Sequence, residues 1–319
     1  MKVRWGLAEL PGLLAELGLE RPFLVASPRW EAAVEFVGEW REVPSERIGD
    51  AAEQAREADG LLAVGGGSAI DLAKAIGVET GLPVVSVPTT YSGAEWTPSF
   101  GIRDHDRRMR GGGAGATLTG IVYDPELTRG LPRAETVGTS MNALAHAAEA
   151  LYVRGRNDEG DREALEGARL IGEWLPRVVE SPDALDARRA LLEGAMHAGA
   201  ALAAAGLGLA HAMAQALGGR FGLPHGAMNA LTLPPALRFN QPVAAAEIER
   251  FGEALRTSDP IGRARELALL GGYQRLRDQG VPENELDTVA EAAADRAGAR
   301  ANPRPATSSQ ISELLRSIY

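Results

Sequence analysis

The sequence has no cysteine and almost no lysine. Among its 319 residues lysine occurs only at Lys2 and Lys74, so arginine supplies nearly all of the positive charge. The lack of cysteine excludes disulfide bonds, zinc sites built from thiolates and catalysis by a thiol. Histidine is also scarce, with five residues, so the position of each histidine is informative.

Long apolar segments and an excess of positive charge are missing as well. No apolar run is long enough to span a bilayer, and residues 1–10 lack the apolar stretch of a signal peptide. The formal net charge of −10 argues against nucleic acid or an anionic membrane as a partner. We therefore expect a cytoplasmic protein that acts on a small molecule.

The length and the change of composition along the chain predict two domains. A chain of 319 residues exceeds what one hydrophobic core usually supports. In its first part, short apolar runs alternate with amphipathic stretches, which is typical of a parallel sheet wrapped by helices. Beyond Pro132 the sequence is rich in Ala, Leu, Glu and Arg with helical periodicity. We predict an α/β domain over residues 1–127 and an all-helical domain over residues 128–319.

The periodicity of the apolar residues places the individual elements. In the first domain it predicts strands at residues 1–5, 22–26, 61–64, 82–87 and 121–123, with helices at 8–17, 30–40, 50–58 and from 68 onward. Residues 107–120 are expected to form a mobile loop. In the second domain it predicts helices at 135–153, 162–180, 243–255, 261–270, 283–297 and 308–318. Residues 184–217 are so rich in Ala and Gly that their helices should pack at close range.

Three consecutive glycines follow the predicted strand at residues 61–64. Gly65, Gly66 and Gly67 lead into a helix that we expect to open at Ser68. A helix N-terminus with unblocked backbone N–H groups at the end of a strand is an anion site, and glycine lets a phosphate approach closely. The alternative is a tight strand-to-helix connection without a ligand. The spacing matches neither GxGxxG nor the P-loop.

Polar side chains at two further strand ends extend the predicted nucleotide site. Thr89 and Thr90 end the next strand, with hydroxyls expected to face the crevice where a pyrophosphate would lie. Directly after the strand at residues 22–26, the chain has Ser27, Pro28 and Arg29, with no acidic residue among these three. Because no carboxylate would repel a 2′-phosphate there and Arg29 could pair with it, NADPH should be tolerated as well as NADH.

Three histidines in the helical half have a chemical context. Asn142 and His146 are four residues apart on one predicted helix and hence on one face. His211 lies in the Ala/Gly-rich stretch, and His225 follows Pro224 in what we expect to be a short loop. This set has the composition of a metal or catalytic site, and a packed core histidine is the alternative for each member. His105 and His197 lack such a context and are interpreted as structural.

Several motifs resemble a known family over nearly the whole chain. GGGSAIDLAK at residues 65–74, PTT at 88–90 and the three histidines resemble the iron-containing alcohol dehydrogenase superfamily, whose fold is shared with dehydroquinate synthase and glycerol dehydrogenases. PTTYSGAEWTP at 88–98, MNALAHAAEALY at 141–152 and LGGRFGLPH at 217–225 are similar to maleylacetate reductases. That branch reduces the conjugated C=C bond of maleylacetate to 3-oxoadipate with NADH or NADPH.

The resemblance implies a fold, a cofactor and a set of site residues. The expected fold is a dinucleotide-binding α/β domain followed by an all-α catalytic domain, with ligands bound between the two. The expected cofactor contacts come from the glycine turn, the strand ends and a position where the family tends to have lysine: Gly65, Gly66, Gly67, Ser68, Asp71, Thr89, Thr90, Ser92, Ser27, Arg29 and Arg108. The expected catalytic residues are His146, His211, His225, Tyr91 and Asn142.

The departures from the family pattern concern the metal. Asn142 stands where the superfamily has a metal-binding Asp, and an amide brings no charge to offset a dication. We therefore predict that the site works without a divalent metal. If one binds, the ligands would be Asn142, His146, His211 and His225. Gln215 and Asn229 stand where relatives often have further histidines, and Asp71 is more typical of the alcohol dehydrogenases.

Together these features predict an NAD(P)H-dependent reductase of maleylacetate or a related acidic enone in aromatic-compound catabolism. A metal-dependent alcohol dehydrogenase or aldehyde reductase of the same superfamily is the first alternative. A lyase of the dehydroquinate synthase type is disfavoured because the helical half has no lysine, and a nucleotide-binding protein without catalysis would not need three histidines. We also expect a homodimer, with the strand at residues 1–5 as a sheet edge available for pairing.

Overall fold

The structure is a computed structural model that describes residues 1–31 and 34–319. The chain forms two compact units. We call Met1–Thr90 together with Ala94–Gly130 the sheet unit, and Tyr91–Gly93 together with Leu131–Tyr319 the helical unit. This architecture, a parallel α/β part and a helical part, confirms the predicted fold class.

The sheet unit is built on a six-stranded parallel sheet. Its strands, in the spatial order β1-β8-β5-β4-β2-β3, are β1 Lys2–Trp5, β8 Leu118–Tyr123, β5 Val84–Pro88, β4 Gly60–Gly65, β2 Pro22–Ala26 and β3 Gly38–Trp40. Strands β6 (Phe100–Arg103) and β7 (Met109–Gly113) form a separate antiparallel hairpin. The helices are α1 Leu10–Glu16, α2 Ile48–Gln54 and α3 Gly67–Thr80, with short 3₁₀ turns at Leu7–Glu9, Ala94–Trp96 and Pro125–Thr128.

The central strands are buried on both faces, which is why they read as unbroken apolar runs. Side chains alternate between two clusters. Phe23 and Leu61 belong to the core that includes helices α2 and α3. Leu24 and Leu62, one residue further along the same two strands, belong to the core that includes α1. The glycine turn therefore follows a strand that is fixed from both sides.

Two predictions for this unit are wrong. Of the helix predicted at residues 30–40, Ala32 and Ala33 lie outside the described residues, and Gly38–Trp40 form strand β3. The predicted loop at residues 107–120 contains strand β7 and the start of β8. Its turn is ordered by Asp104, a buried carboxylate that accepts hydrogen bonds from the backbone N–H of Arg108 at 2.9 Å and from the Arg110 guanidinium at 2.6 Å.

The helical unit contains ten α-helices and no strand, and the structure describes every one of its residues. The helices are α4 Arg133–Ala150, α5 Asp158–Glu180, α6 Leu185–Ala205, α7 Leu209–Phe221, α8 His225–Asn240, α9 Ala245–Ala254, α10 Pro260–Leu269, α11 Leu286–Ala294, α12 Ala297–Ala301 and α13 Ser308–Arg316. Helices α5 and α6 approach closely: a Cβ added at Gly194 would lie 2.9 Å from Cβ of Leu170. The close approach at Gly194 agrees with the close packing expected for the Ala- and Gly-rich residues 184–217.

His225 opens helix α8 and does not lie in a loop, contrary to our prediction. Pro224 occupies the N-cap position, where a missing N–H costs nothing, but Pro234 and Pro235 lie inside the helix.

Across the described residues, no single helix is long and apolar enough to cross a membrane. Helices α6 and α7 taken together meet the length and composition criteria, with a bend of 102° between them.

Glu95, in the 3₁₀ turn Ala94–Trp96, is a buried carboxyl group with one engaged oxygen. The hydroxyl of Tyr123 donates to Oε1 at 2.7 Å, whereas Oε2 has no hydrogen-bond partner in the part of the chain that the structure describes. Burial raises the pKa of Glu95 above its ordinary value of 4.5, and the hydrogen bond from Tyr123 opposes this rise. Folding therefore stabilises the protonated form of Glu95 relative to the ionised form.

We expect Glu95→Gln to stabilise the protein increasingly as the pH rises. A carboxyl group with a raised folded pKa contributes its full stability below 4.5 and loses it as the pH rises through the folded value. Glutamine keeps an acceptor for Tyr123 and does not ionise. In thermal unfolding, the melting temperatures of variant and parent should be similar near pH 4 and diverge in favour of the variant towards pH 8. A difference that does not depend on pH would show that ionisation of Glu95 is irrelevant to stability.

Candidate functional site

The glycine turn joins strand β4 to helix α3. Gly65 ends the strand at φ 154°, and a Cβ on it would lie 2.8 Å from Cβ of Ala69. Gly66 is the N-cap, and the helix begins at Gly67, one residue earlier than predicted. A Cβ on Gly66 would lie 2.9 Å from Cγ2 of Thr90. A side chain at Gly65 or Gly66 would therefore meet the side chain of a neighbour at close range. The N-cap Gly66 has no side chain to hydrogen-bond the first amides of α3.

Two buried hydroxyl groups follow the neighbouring strand β5. Oγ1 of Thr89 and Oγ1 of Thr90 are buried and have no hydrogen-bond partner among the described residues. The backbone N–H of Thr89 donates to the carbonyl of Gly65 at 3.0 Å, which holds this strand end beside the glycine turn. Buried hydroxyls normally have partners, so these two groups are suited to a ligand that brings its own donors or acceptors.

The other predicted cofactor residues of the sheet unit lie in different surroundings. Arg29 is exposed, with its guanidinium carbon 5.3 Å from the centre of the Trp30 ring. Arg108 is exposed in the turn between β6 and β7. Ser27 is partly buried directly after β2, and Ser68 is exposed on the first turn of α3. The structure therefore gathers the glycine turn, Thr89 and Thr90, and leaves Arg29 and Arg108 at the surface.

Asp71 is engaged with its own unit. Its carboxylate accepts from Nζ of Lys74 at 3.0 Å and from the backbone N–H of Gly101 at 3.1 Å. Lys74 is completely buried and also donates to the carbonyl of Ser99 at 2.7 Å. These contacts fasten α3 to strand β6 and the residue before it. Asp71 holds the hairpin in this structure, a role that the sequence pattern did not suggest.

Three helices of the helical unit bring His146, His211 and His225 together, and we call these residues the histidine cluster. The rings of His146 on α4 and His211 on α7 are stacked, with centroids 4.6 Å apart and planes at 13°. The ring of His225, at the start of α8, lies 5.7 Å from that of His211. Burial lowers the pKa of His146 well below its usual 6.5, and positive charge on His211 or His225 would lower it further.

The orientation of the Asn142 side chain is fixed by its neighbours. Its Nδ2 donates to the carbonyl of Ser92 at 2.7 Å, so Oδ1 faces the cluster. Oδ1 accepts from Nδ2 of Asn229 at 2.7 Å and lies 3.3 Å from Nε2 of His211. Nδ2 of Asn229 is also 3.1 Å from Nε2 of His225, which makes that ring nitrogen an acceptor. Asn229 therefore links Asn142 to His225.

Sequence reasoning missed Glu149, the carboxylate that holds His211. Glu149 is completely buried on α4, and its Oε2 lies 2.7 Å from Nδ1 of His211. Positions 142, 146 and 149 follow the spacing of one helix face, and Glu149 is a lone acid in the apolar stretch that surrounds it. That combination was the signal that could have revealed it.

Tyr91 is tied to a second residue that the sequence did not reveal. The Tyr91 side chain is completely buried, and Nη1 of Arg188 donates to its hydroxyl at 3.1 Å. Arg188, on α6, is also buried and donates from Nε to the carbonyl of Pro182 at 2.5 Å. Tyr91 precedes Ser92, whose carbonyl orients Asn142. The Arg188–Tyr91 contact thus anchors the segment Tyr91–Gly93.

Both halves of the chain match the same protein family. Residues 4–119 match the profile described as "Iron-containing alcohol dehydrogenase", and residues 136–319 match "Fe-containing alcohol dehydrogenase family, C-terminal". The two matched segments together span most of the sequence.

Curated relatives and solved structures agree with this match. A maleylacetate reductase from Burkholderia cepacia is 40% identical over 263 residues, covering 82% of this chain and 74% of the relative. Maleylacetate reductase 2 of Cupriavidus pinatubonensis is 38% identical over 87% of this chain and 78% of its own length. The crystal structure of maleylacetate reductase from Agrobacterium tumefaciens superposes with a TM-score of 0.90 at 30% identity, covering all of this chain and 95% of that one.

These matches contradict our prediction that the site works without a divalent metal. Both family descriptions name iron. The prediction relied on the missing charge of Asn142, and that argument was insufficient because neutral imidazole nitrogens bind divalent metals well and amide oxygens can also serve as ligands.

The side chains around Asn142 offer ligand atoms of the types that bind divalent ions, namely imidazole nitrogens and an amide oxygen. Glu149 lies against Nδ1 of His211, which leaves the other ring nitrogen of His211, Nε2, free to present a lone pair. Nε2 lies 3.3 Å from Oδ1 of Asn142. Two ligand atoms about 2.1 Å from one ion lie about 3 to 3.4 Å apart, so this pair can share one. Within the described residues, no group of three histidine, aspartate or glutamate side chains is arranged to hold a metal. A bound ion would therefore need the amide oxygen as well as imidazoles.

Proposed function

Because the chain belongs to the iron-containing alcohol dehydrogenase family, we propose that it reduces maleylacetate or a closely related acidic enone with NADH or NADPH. The observation that carries this proposal is the 40% identity to a maleylacetate reductase over 82% of the chain. The reaction adds a hydride to the β-carbon and a proton to the α-carbon of the enone, and negative charge develops on the carbonyl oxygen in between.

The nucleotide is assigned to the sheet unit. The N-terminus of α3 offers backbone N–H groups to a pyrophosphate, and the glycines before it place no side chain over those groups. The unpartnered hydroxyls of Thr89 and Thr90 supply further polar contacts. Beside β2, Arg29 is an exposed cation with no acidic neighbour in Ser27 or Pro28, which supports the use of NADPH as well as NADH.

The acidic substrate is assigned to the histidine cluster. Imidazoles can donate hydrogen bonds to a carboxylate or an enolate and can pass on a proton, because they titrate near neutrality. Oδ1 of Asn142, held in place by the contact of Nδ2 with Ser92, only accepts, so it would serve a bound cation rather than the substrate carboxylate. Tyr91 remains a predicted catalytic residue, although its bond to Arg188 favours a role in holding the segment Tyr91–Gly93. A divalent ion bound by Asn142 and the cluster would supply a Lewis acid for a substrate carbonyl.

The proposal also covers the roles of the two domains and the oligomeric state. We assign dinucleotide binding to residues 1–127 and substrate binding to residues 128–319. Strand β1 is at one edge of the sheet, which supports a homodimer paired through this edge. The net charge of −10 supports a small-molecule substrate rather than nucleic acid or an anionic membrane. We assign the enzyme to the cytoplasm.

The proposal is tested by following NADH and NADPH absorbance with maleylacetate and with simple aldehydes. Each assay is run on protein as isolated, after chelation and after addition of Fe²⁺, with the bound metal measured by elemental analysis. We expect consumption of reduced nucleotide with maleylacetate and stoichiometric formation of 3-oxoadipate. Turnover of aldehydes alone would replace this proposal by the alcohol dehydrogenase alternative.

A further inference from the structure

Glu149 makes an unusually complete set of contacts for a buried carboxylate. Its Oε1 accepts from the backbone N–H of Ala210 at 2.6 Å and lies 3.3 Å from that of His211. Its Oε2 accepts from the backbone N–H of Gly208 at 2.7 Å and lies 2.7 Å from Nδ1 of His211. The group has no access to solvent. All of these partners come from the start of α7, about sixty residues further along the chain.

The backbone contacts favour one direction for the contact with the imidazole. A backbone N–H can only donate, so both oxygens of Glu149 act as acceptors towards the start of α7. As a carboxylate, Glu149 has no proton to give, and the fourth contact then needs a proton on Nδ1 of His211. The space around the carboxylate is filled as well, because a Cβ on Gly208 would lie 2.9 Å from Oε1.

The contact of Nδ1 with Glu149 also determines where the opposite ring nitrogen of His211, Nε2, lies. With Nδ1 held by Glu149, Nε2 of His211 points to Oδ1 of Asn142 at 3.3 Å, and the ring plane lies against His146. Rotation of the ring by half a turn would place a carbon where Glu149 now meets nitrogen. That would leave the buried Oε2 with only the backbone N–H of Gly208, and under-satisfied buried carboxylates are costly.

We propose that Glu149 is a positioning residue that fixes the tautomer and the ring orientation of His211. It thereby aims Nε2 into the histidine cluster, and this role deepens the proposed function because the cluster is the assigned substrate site. The carboxylate does not touch the substrate. It acts through His211, as second partners of functional histidines commonly do.

A purely structural role has to be separated from this one. Glu149 also satisfies the first amides of α7, whose N-cap Gly208 has no side chain. If capping were its whole function, its replacement would lower stability and leave the imidazole proton in place. The readout must therefore observe His211 itself.

The first measurement is made on the parent protein. With only five histidines in the chain, ¹⁵N-labelled imidazoles give few NMR signals, and single His→Gln variants assign them. We expect the signal of His211 to show a proton on Nδ1. A proton on Nε2 alone would overturn the proposal, whatever any variant does.

The second measurement uses Glu149→Gln, which keeps the size of the side chain and places an N–H₂ group against one of the donors. We expect His211 to lose the defined Nδ1–H state and kcat for maleylacetate to fall about 100-fold. The KM for NADH should stay within about twofold, because the change acts on one site only. Glu149→Asp keeps a carboxylate, and we expect it to retain the Nδ1 proton and a kcat between those of the parent and the glutamine variant.

Asp259→Ala is the matched control, since Asp259 caps α10 by accepting from the N–H of Gly262 at 2.9 Å and holds no histidine. It should lower the melting temperature and change neither readout. A Glu149→Gln enzyme with the Nδ1 proton and kcat of the parent would overturn the proposal. If the parent itself does not reduce maleylacetate, the proposed function fails, while the NMR measurements still decide the role of Glu149.

Discussion

Gly66→Val should abolish binding of NADH and NADPH while the protein remains folded. Gly66 is the N-cap of α3 and has an ordinary φ of −81°, so a branched side chain is not excluded by the backbone. Its side chain would fill the space proposed for the pyrophosphate and cover the first amides of the helix. Loss of two hydrogen bonds to a charged group corresponds to a rise in the dissociation constant of about 100-fold or more. The dissociation constant is measured from the quenching of tryptophan fluorescence as NADH is titrated into the protein.

Contact with Thr90 has to be separated from loss of the phosphate site. A Cβ at position 66 would lie 2.9 Å from Cγ2 of Thr90. Gly66→Ala in a Thr90→Ser background removes that methyl group and keeps the hydroxyl, and we expect weakened binding in a normally folded protein. Gly12→Val on α1, where a Cβ has no neighbour within 4 Å, should bind as the parent does. Parent-like binding by Gly66→Val would mean that the glycine turn is only structural.

His211→Ala should lower kcat for maleylacetate by about 100-fold or more and leave NADH binding unchanged. His211 is in contact with most of the proposed substrate site: it stacks on His146 and lies 3.3 Å from Oδ1 of Asn142. Steady-state kinetics at saturating NADH gives kcat, and a fluorescence titration gives nucleotide affinity. Both enzymes are compared at matched metal content.

His197→Ala provides the control for this experiment. His197 belongs to the same unit, on α6, and pairs with Glu163 at 2.6 Å near the surface. It should retain the kcat of the parent. If His211→Ala also retains it, the histidine cluster is a packed core feature and the substrate must be bound elsewhere.

The sheet could be predicted in detail where the sequence shows uninterrupted apolar runs. Strand β2, Pro22–Ala26, begins and ends as predicted because all five residues are buried and Ser27 follows directly. Strand β3 has only three residues and pairs on one side, so its pattern was too short to identify. Helix α8 was missed because Pro234 and Pro235 argue against a helix, at about 3 kcal/mol or more for a proline in an isolated helix. Burial of almost the whole of α8 outweighs that local preference.

The site could be predicted only as far as side-chain types at fixed spacings allow. The histidines and Asn142 are visible because they are rare or regularly spaced. Glu149, Arg188 and the carbonyl of Ser92 are not, because their partners are 59, 97 and 50 residues away in the chain. The metal prediction was wrong because it considered the charge of a single ligand and not the neutral donors around it.

The burial of Lys74 gives the protein unusual behaviour towards amine-reactive reagents. One of the two lysines, Lys74, is completely buried inside the sheet unit, while the side chain of Lys2 is 41% exposed. The accessible lysine therefore lies on strand β1, at the edge of the sheet. A dye or a solid support that couples to lysine would attach to the folded protein at this edge. With no cysteine in the chain, a single introduced thiol would provide a second, independent attachment point.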